Sequence, residues 1–181
     1  MTTPRFAPDA VCTALQDDPF WAEHLRHIGY PEGHRVALHL AILVNPYLQR
    51  LLNGQKTIES RFSVQRRAPY AQVASGDVVL LKRSGGPIMG IGLVAEPTFY
   101  ELTPTLLQHI QTTYADALGI DNPAFWTERA TAAFATLIPL LHVRQIPPIP
   151  FVKRDQRAWV VLQRRVPQPL FFSPLAHHAA D

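Results

Sequence analysis

Six short apolar runs with a period of two, and no helix regularly separating them, set the narrowest limit on what this chain can fold into. The runs are VALHLAILV (36–44), TIESRF (57–62), VVLLKR (78–83), IMGIGLVAEPTFYEL (88–102), FATLIPLLHVRQI (134–146) and AWVVLQ (158–163). In the first, Val36, Leu38, Leu40, Ile42 and Val44 alternate with smaller residues, so this is a strand buried on at least one face. A doubly wound sheet needs a helix between successive strands. Here helices are predicted only at 8–28, after Asn45-Pro46 (PYLQRLL, ending at Asn53-Gly54), from Thr103-Pro104 to Gly119, and as a turn at PAFWTERA. The expected class is therefore α+β, a mixed β-barrel of about six strands with inserted helices. Gly76-Asp77 reads as a turn and SGGP as a hairpin, while Pro139 interrupts its strand and predicts an edge position or a bulge. Gly90-x-Gly92 has no helix behind it, which favours a bulge or close backbone approach over a dinucleotide site.

Length and composition assign these runs to one core. The chain has 181 residues, of which 47% are hydrophobic and 17% charged. That charged share lies under the roughly 25% usual for soluble domains, so much of the chain is expected to be buried. Residues 1–33 form a helical arm broken at Asp18-Pro19, with Asp18 as cap and Pro19 in the first helical position. Its stripe of Phe20, Trp21, Leu25 and Ile28 must dock on the body, residues 34–165. Residues 166–181 are expected to be irregular, with Leu170, Phe171 and Phe172 as an anchor. One cysteine, Cys12, excludes an internal disulfide and a multi-cysteine zinc site. His24 and His27 lack a further ligand, so no metal and no cofactor are expected. The start MTTPRFAPDA has no signal-type apolar core, and no apolar stretch reaches about 18 residues, which predicts a cytoplasmic chain with no membrane partner.

Charge is unevenly spread. Residues 50–67 carry net +4 and 144–165 net +5, whereas 84–128 contain no Lys or Arg and carry net −5. If the fold joins the two basic segments, an anionic partner is favoured, with nucleic acid first in line. The backbone contacts would then come from Arg66, Arg67, Lys82, Lys153, Arg154 and Arg157. Two separate solvated basic loops are the alternative.

One stretch concentrates both signs: LLNGQKTIESRF, residues 51–62. On a strand Thr57, Glu59 and Arg61 share one face, while Ile58, Ser60 and Phe62 share the other, expected to be the core side. Gly54 permits the turn that brings Lys56 over the same spot. The arrangement is either an exposed ion pair, worth about 0–1 kcal/mol, or a recognition pocket. In the pocket the cations hold phosphate or carbonyl oxygens, and the carboxylate accepts from an exocyclic amine or acts as a base.

Gly54-Gln55-Lys56-Thr57-Ile58-Glu59-Ser60-Arg61 resembles the G-x-K-x-x-E-x-R motif of the ASCH domain family, in the PUA-like superfamily. The motif follows a strand and short helix, and Gly76-Asp77 before VVLL is similar to that family's turn; the likeness spans roughly residues 36–163. It implies a PUA-like β-barrel that binds RNA or a modified nucleotide, with Gly54, Lys56, Thr57, Glu59 and Arg61 as ligand contacts. It also implies an alternative: an enzyme acting on nucleosides or RNA, either an N4-acetylcytidine-type amidohydrolase or a small ribonuclease, with Lys56 and Glu59 catalytic. In the amidohydrolase branch the residue three after the motif lysine is a threonine nucleophile. Here it is Glu59.

Overall fold

Pairing of the period-two runs yields seven strands in the computed structural model, which describes residues 8–26, 28, 36–152 and 156–166. They are β1 (Leu38–Leu43), β2 (Ile58–Ser63), β3 (Val78–Arg83), β4 (Ile88–Val94), β5 (Thr98–Glu101), β6 (Phe134–Ile149) and β7 (Trp159–Gln163). The helices are α1 (Pro8–Ala14), α2 (Pro19–Leu25), α3 (Tyr47–Leu52), α4 (Pro104–Tyr114) and α5 (Ala124–Thr127). The long fourth run divides into β4 and β5 around Pro97, which supplies no ladder donor. Gly90 falls where β4 shifts register against both β3 and β6.

The order β2-β6-β4-β3-β1-β7, with β5 also on β6, is a curled mixed sheet with inserted helices, the α+β half-barrel expected. Among the described residues only β1 and β3 run parallel, from Leu38↔Val78 to Leu43↔Arg83. Strand β6 serves both halves: residues 134–139 pair with β2, and 140–149 pair with β4. Pro139 sits at that changeover and not on an edge. Its carbonyl accepts from Ala95 N at 2.9 Å, and N–H and C=O of one strand residue project to the same side. The missing donor thus falls in the gap between the β5 and β4 pairings, where it costs no ladder bond.

Both faces of the central strands are covered, which explains their near-continuous apolar sequence. Val78 and Leu80 join Leu38, Leu40 and the arm residues Val11, Leu15, Trp21, Leu25 and Ile28 in one cluster. Val79 and Leu81 join Leu43, Leu48, Leu51, Ile138 and Trp159 in a second. The helices between β5 and β6 build a third from Ile110, Leu118, Phe125 and Trp126, on which Ile58 and Phe62 pack. Asp18 Oδ1 accepts from Trp21 N at 3.2 Å and caps α2, with Pro19 at its first position. Asn45 does not cap α3, whose cap position is held by Pro46. The anchor expected at Leu170, Phe171 and Phe172 lies outside the described residues.

Candidate functional site

The turn after α3 delivers the motif. Gly54 adopts φ +78°, a left-handed conformation that costs little without a Cβ, and Lys56 N then donates to Arg50 O at 2.8 Å. Lys56 is 3% exposed. Its Nζ donates to Ile58 O at 2.6 Å and Leu118 O at 2.9 Å, and lies 3.4 Å from Glu59 Oε2. An ammonium has three protons, so all are accounted for. Burial pushes the Lys56 pKa below the usual lysine value, Glu59 pulls it back up, and Arg61 and Arg50 add to the lowering.

The segment 115–121 closes over this lysine. Ala117 O accepts from both Thr57 N and Ile58 N, Gly119 O accepts from Arg50, and Asp121 pairs with Arg50 at 2.6 Å. Gly119 permits the approach, since a Cβ there would stand 3.2 Å from Lys56 Cβ and 3.3 Å from Arg50 Cδ.

Glu59 and Arg61 share a face, but it is not open to solvent. Glu59 stands opposite Ile138 and is 4% exposed, because the sheet curls that face inward while the inserted helices cover the Ile58 and Phe62 side. Arg61 Nε lies 3.0 Å from Glu59 Oε1. Its N–H is not directed at that oxygen and has no hydrogen-bond acceptor among the described residues. Arg61 Nη2 donates to Ile42 O at 3.1 Å, and its guanidinium lies 5.4 Å over the Trp159 ring. It thereby links β2, one end of the strand order, to β1 and β7 at the other.

Trp159 is seated from behind. Its indole N–H donates to His39 Nδ1 at 3.2 Å, so the proton of a neutral imidazole sits on Nε2, 3.2 Å from Asp77 Oδ2. Burial pushes the Asp77 carboxyl up, yet bonds from His39, Ala37 N, Arg165 and Ala74 N outweigh it and hold the group below its ordinary value. The Gly76-Asp77 turn thus braces the floor beneath Arg61.

Lys56, Glu59 and Arg61 line one cleft of about 540 Å3 together with Tyr47, Phe62, Phe125 and Arg129. Exposed Val44 and Val64 stand at its rim. Gly54 and Thr57 do not line it. Gly54 is exposed, and Thr57, also exposed, spends its backbone on Ala117 and Leu140. Sequence reasoning missed Arg129, whose Nη1 donates to Phe125 O at 2.7 Å and whose guanidinium lies 3.4 Å from the Phe125 ring centroid. Its only signal was a cation inside an aromatic turn, PAFWTERA.

The expected phosphate contacts divide. Arg66 and Arg67 are exposed, Arg66 pairing with Glu101 and Arg67 donating to Gln65 at 3.1 Å. Arg157 is exposed beside Ala158, which lines the cleft. Lys153 and Arg154 lie outside the described residues. Lys82 is corrected: it is 5% exposed, and its Nζ donates to Arg83 O and Gly86 O. Period two put it on the face of Val78 and Leu80, and its long stem reaches the hairpin carbonyls.

The chain has an ASCH-like fold. It superposes on the crystal structure of ASCH from Zymomonas mobilis with a TM-score of 0.56 and 14% identity, covering 70% of this chain and 87% of that one. A tyrosine-to-phenylalanine variant of that protein gives 0.56 and 14%, over 70% and 90%. A serine-to-alanine variant gives 0.56 and 15%, over 72% and 91%. No family profile matches the chain, and no curated protein matches its sequence.

Proposed function

We propose that this ASCH-like fold binds RNA or a modified nucleotide in the cleft between β2 and the helices that follow β5. The observation that carries this reading is the lining of that cleft: a carboxylate held between two cations, walled by Tyr47, Phe62 and Phe125. Rings stack an unpaired base, and fixed polar groups read its edge. Glu59 keeps further lone pairs on each oxygen and would accept from an exocyclic amine. Exposed Arg66, Arg67 and Arg157 would contact the phosphate backbone, and Lys153 and Arg154 are proposed to share that role. The enzyme reading uses the same Lys56 and Glu59, and the test separates the two.

Short single-stranded RNAs and nucleosides, N4-acetylcytidine among them, should be screened for binding and turnover together. Binding of RNA should fall steeply between about 50 and 200 mM salt, as counterion release requires. N4-acetylcytidine should release little or no acetate, because position 59 holds no threonine nucleophile. Absence of binding to RNA and to every nucleoside at low salt would sink the binding reading, and RNA binding indifferent to salt would remove the phosphate contacts from it. Robust acetate release that Glu59→Gln abolishes would make the protein an enzyme.

A further inference from the structure

We propose that a phosphate of the ligand is held between Arg61 and Arg129, so that the cleft prefers a nucleotide to the neutral nucleoside. The proposal rests on the reading of the cleft as a nucleotide site. Two guanidiniums in it are built alike. Arg61 lies over Trp159 and gives Nη2 to Ile42 O; Arg129 lies on Phe125 and gives Nη1 to Phe125 O. Each is thus fixed in orientation by one ring and one carbonyl, and each keeps in-plane N–H groups to spare. A planar fork already immobilised loses little entropy on gripping a phosphate.

Further observations favour a phosphate. The cleft lining has three cations, Lys56, Arg61 and Arg129, against two carboxylates, Glu59 and Glu128, which leaves one positive charge uncompensated. Lys56 has its protons committed to Ile58 O, Leu118 O and Glu59, so it is not the group that meets the anion. Arg61 Nε–H is buried without a hydrogen-bond acceptor among the described residues, so this guanidinium still has a donor to give. Glu128, 72% exposed and 3.3 Å from Arg129, gives way easily, since such a surface pair is weak. Val44 and Val64 at the rim offer apolar contact to the ribose and base.

Calorimetric affinities of the common ribonucleosides and their 5′-monophosphates test this in the full chain. The monophosphates should bind about tenfold or more tighter, the worth of one charge-assisted hydrogen bond. A short RNA with a 5′-phosphate, compared with its hydroxyl form, shows whether a chain end serves as well as a free nucleotide. Arg129→Gln should collapse the monophosphate-to-nucleoside ratio toward one, and Arg129→Lys, which keeps charge without the fork, should restore part of it. Inorganic phosphate should displace the monophosphate. Equal affinities for nucleoside and monophosphate would overturn the phosphate assignment while leaving the nucleotide reading intact. A ratio unchanged in a folded Arg129→Gln protein would overturn Arg129's part in it. No binding of any of these ligands would overturn the nucleotide reading and this inference with it.

Discussion

A carboxylate with a cation on each oxygen and 4% of its surface exposed is held differently from one on an open strand. The sequence showed that Lys56, Glu59 and Arg61 meet, because strand period and the Gly54 turn are local properties. It did not show that they meet out of water, because that depends on segment 115–121, and the carbonyls of Ala117 and Leu118 leave no mark in a sequence. The energetics change accordingly. An exposed pair is worth about 0–1 kcal/mol, whereas removing one partner of a buried pair leaves an uncompensated charge. Lys56 makes this measurable through pH. Its pKa is lowered in the folded chain, chiefly by burial, so between that value and the ordinary lysine value of about 10.4 the unfolded chain binds more protons. Stability contributed by Lys56 therefore rises with pH across that window and is lost as pH falls. In urea titrations the difference between wild type and Lys56→Met should shift in favour of wild type from neutral pH toward pH 10. A difference independent of pH would show that Lys56 titrates alike in both states.

At the scale of elements, the legible features were those with local chemistry. Asp18 and Thr103 cap α2 and α4 as read, each accepting from a backbone N–H at 3.2 Å. Lys82 was misplaced because its charge outweighed its period in the reading, although Val78 and Leu80 already fixed the face. The arm helices are short, at seven residues each, and such lengths are marginal alone in water. They hold because Trp21 is 1% exposed in the first core cluster and donates Nε1–H to His142 O at 3.1 Å, while Phe20 stacks on the His142 ring at 3.8 Å. We expect Trp21→Ala to cost about 3–5 kcal/mol of stability, the usual range for emptying a buried tryptophan site. Deletion of residues 1–33 should lower the melting temperature in the same direction. A melt unaffected by either change would make the arm dispensable.

Across the whole molecule, the acidic stretch between the two basic segments is not a bystander. Glu101 pairs with Arg66 and Asp121 with Arg50, so part of the positive charge counted in residues 50–67 is already offset. Fewer phosphates would then be met than the raw count of cations suggests. Long-range pairing was the least legible property, because no local signal joins β1 to β3 in parallel or to β7 across the chain. That pairing sets Ala41 opposite Trp159 and Leu38 opposite Gln163. A ribosome adding about 5–20 residues per second needs on the order of ten seconds to make the intervening stretch. Throughout that interval β1 has an open edge, and the indole that supports Arg61 does not yet exist. Such non-local closure is slow to form and exposes strand edges to other chains. A chain stopped at residue 152 should therefore be cut readily by protease under conditions in which the full chain resists. Equal resistance would mean that the sheet closes its core without β7; rapid cleavage would mark the nascent chain as one that waits, unfinished and adhesive, for Trp159–Gln163.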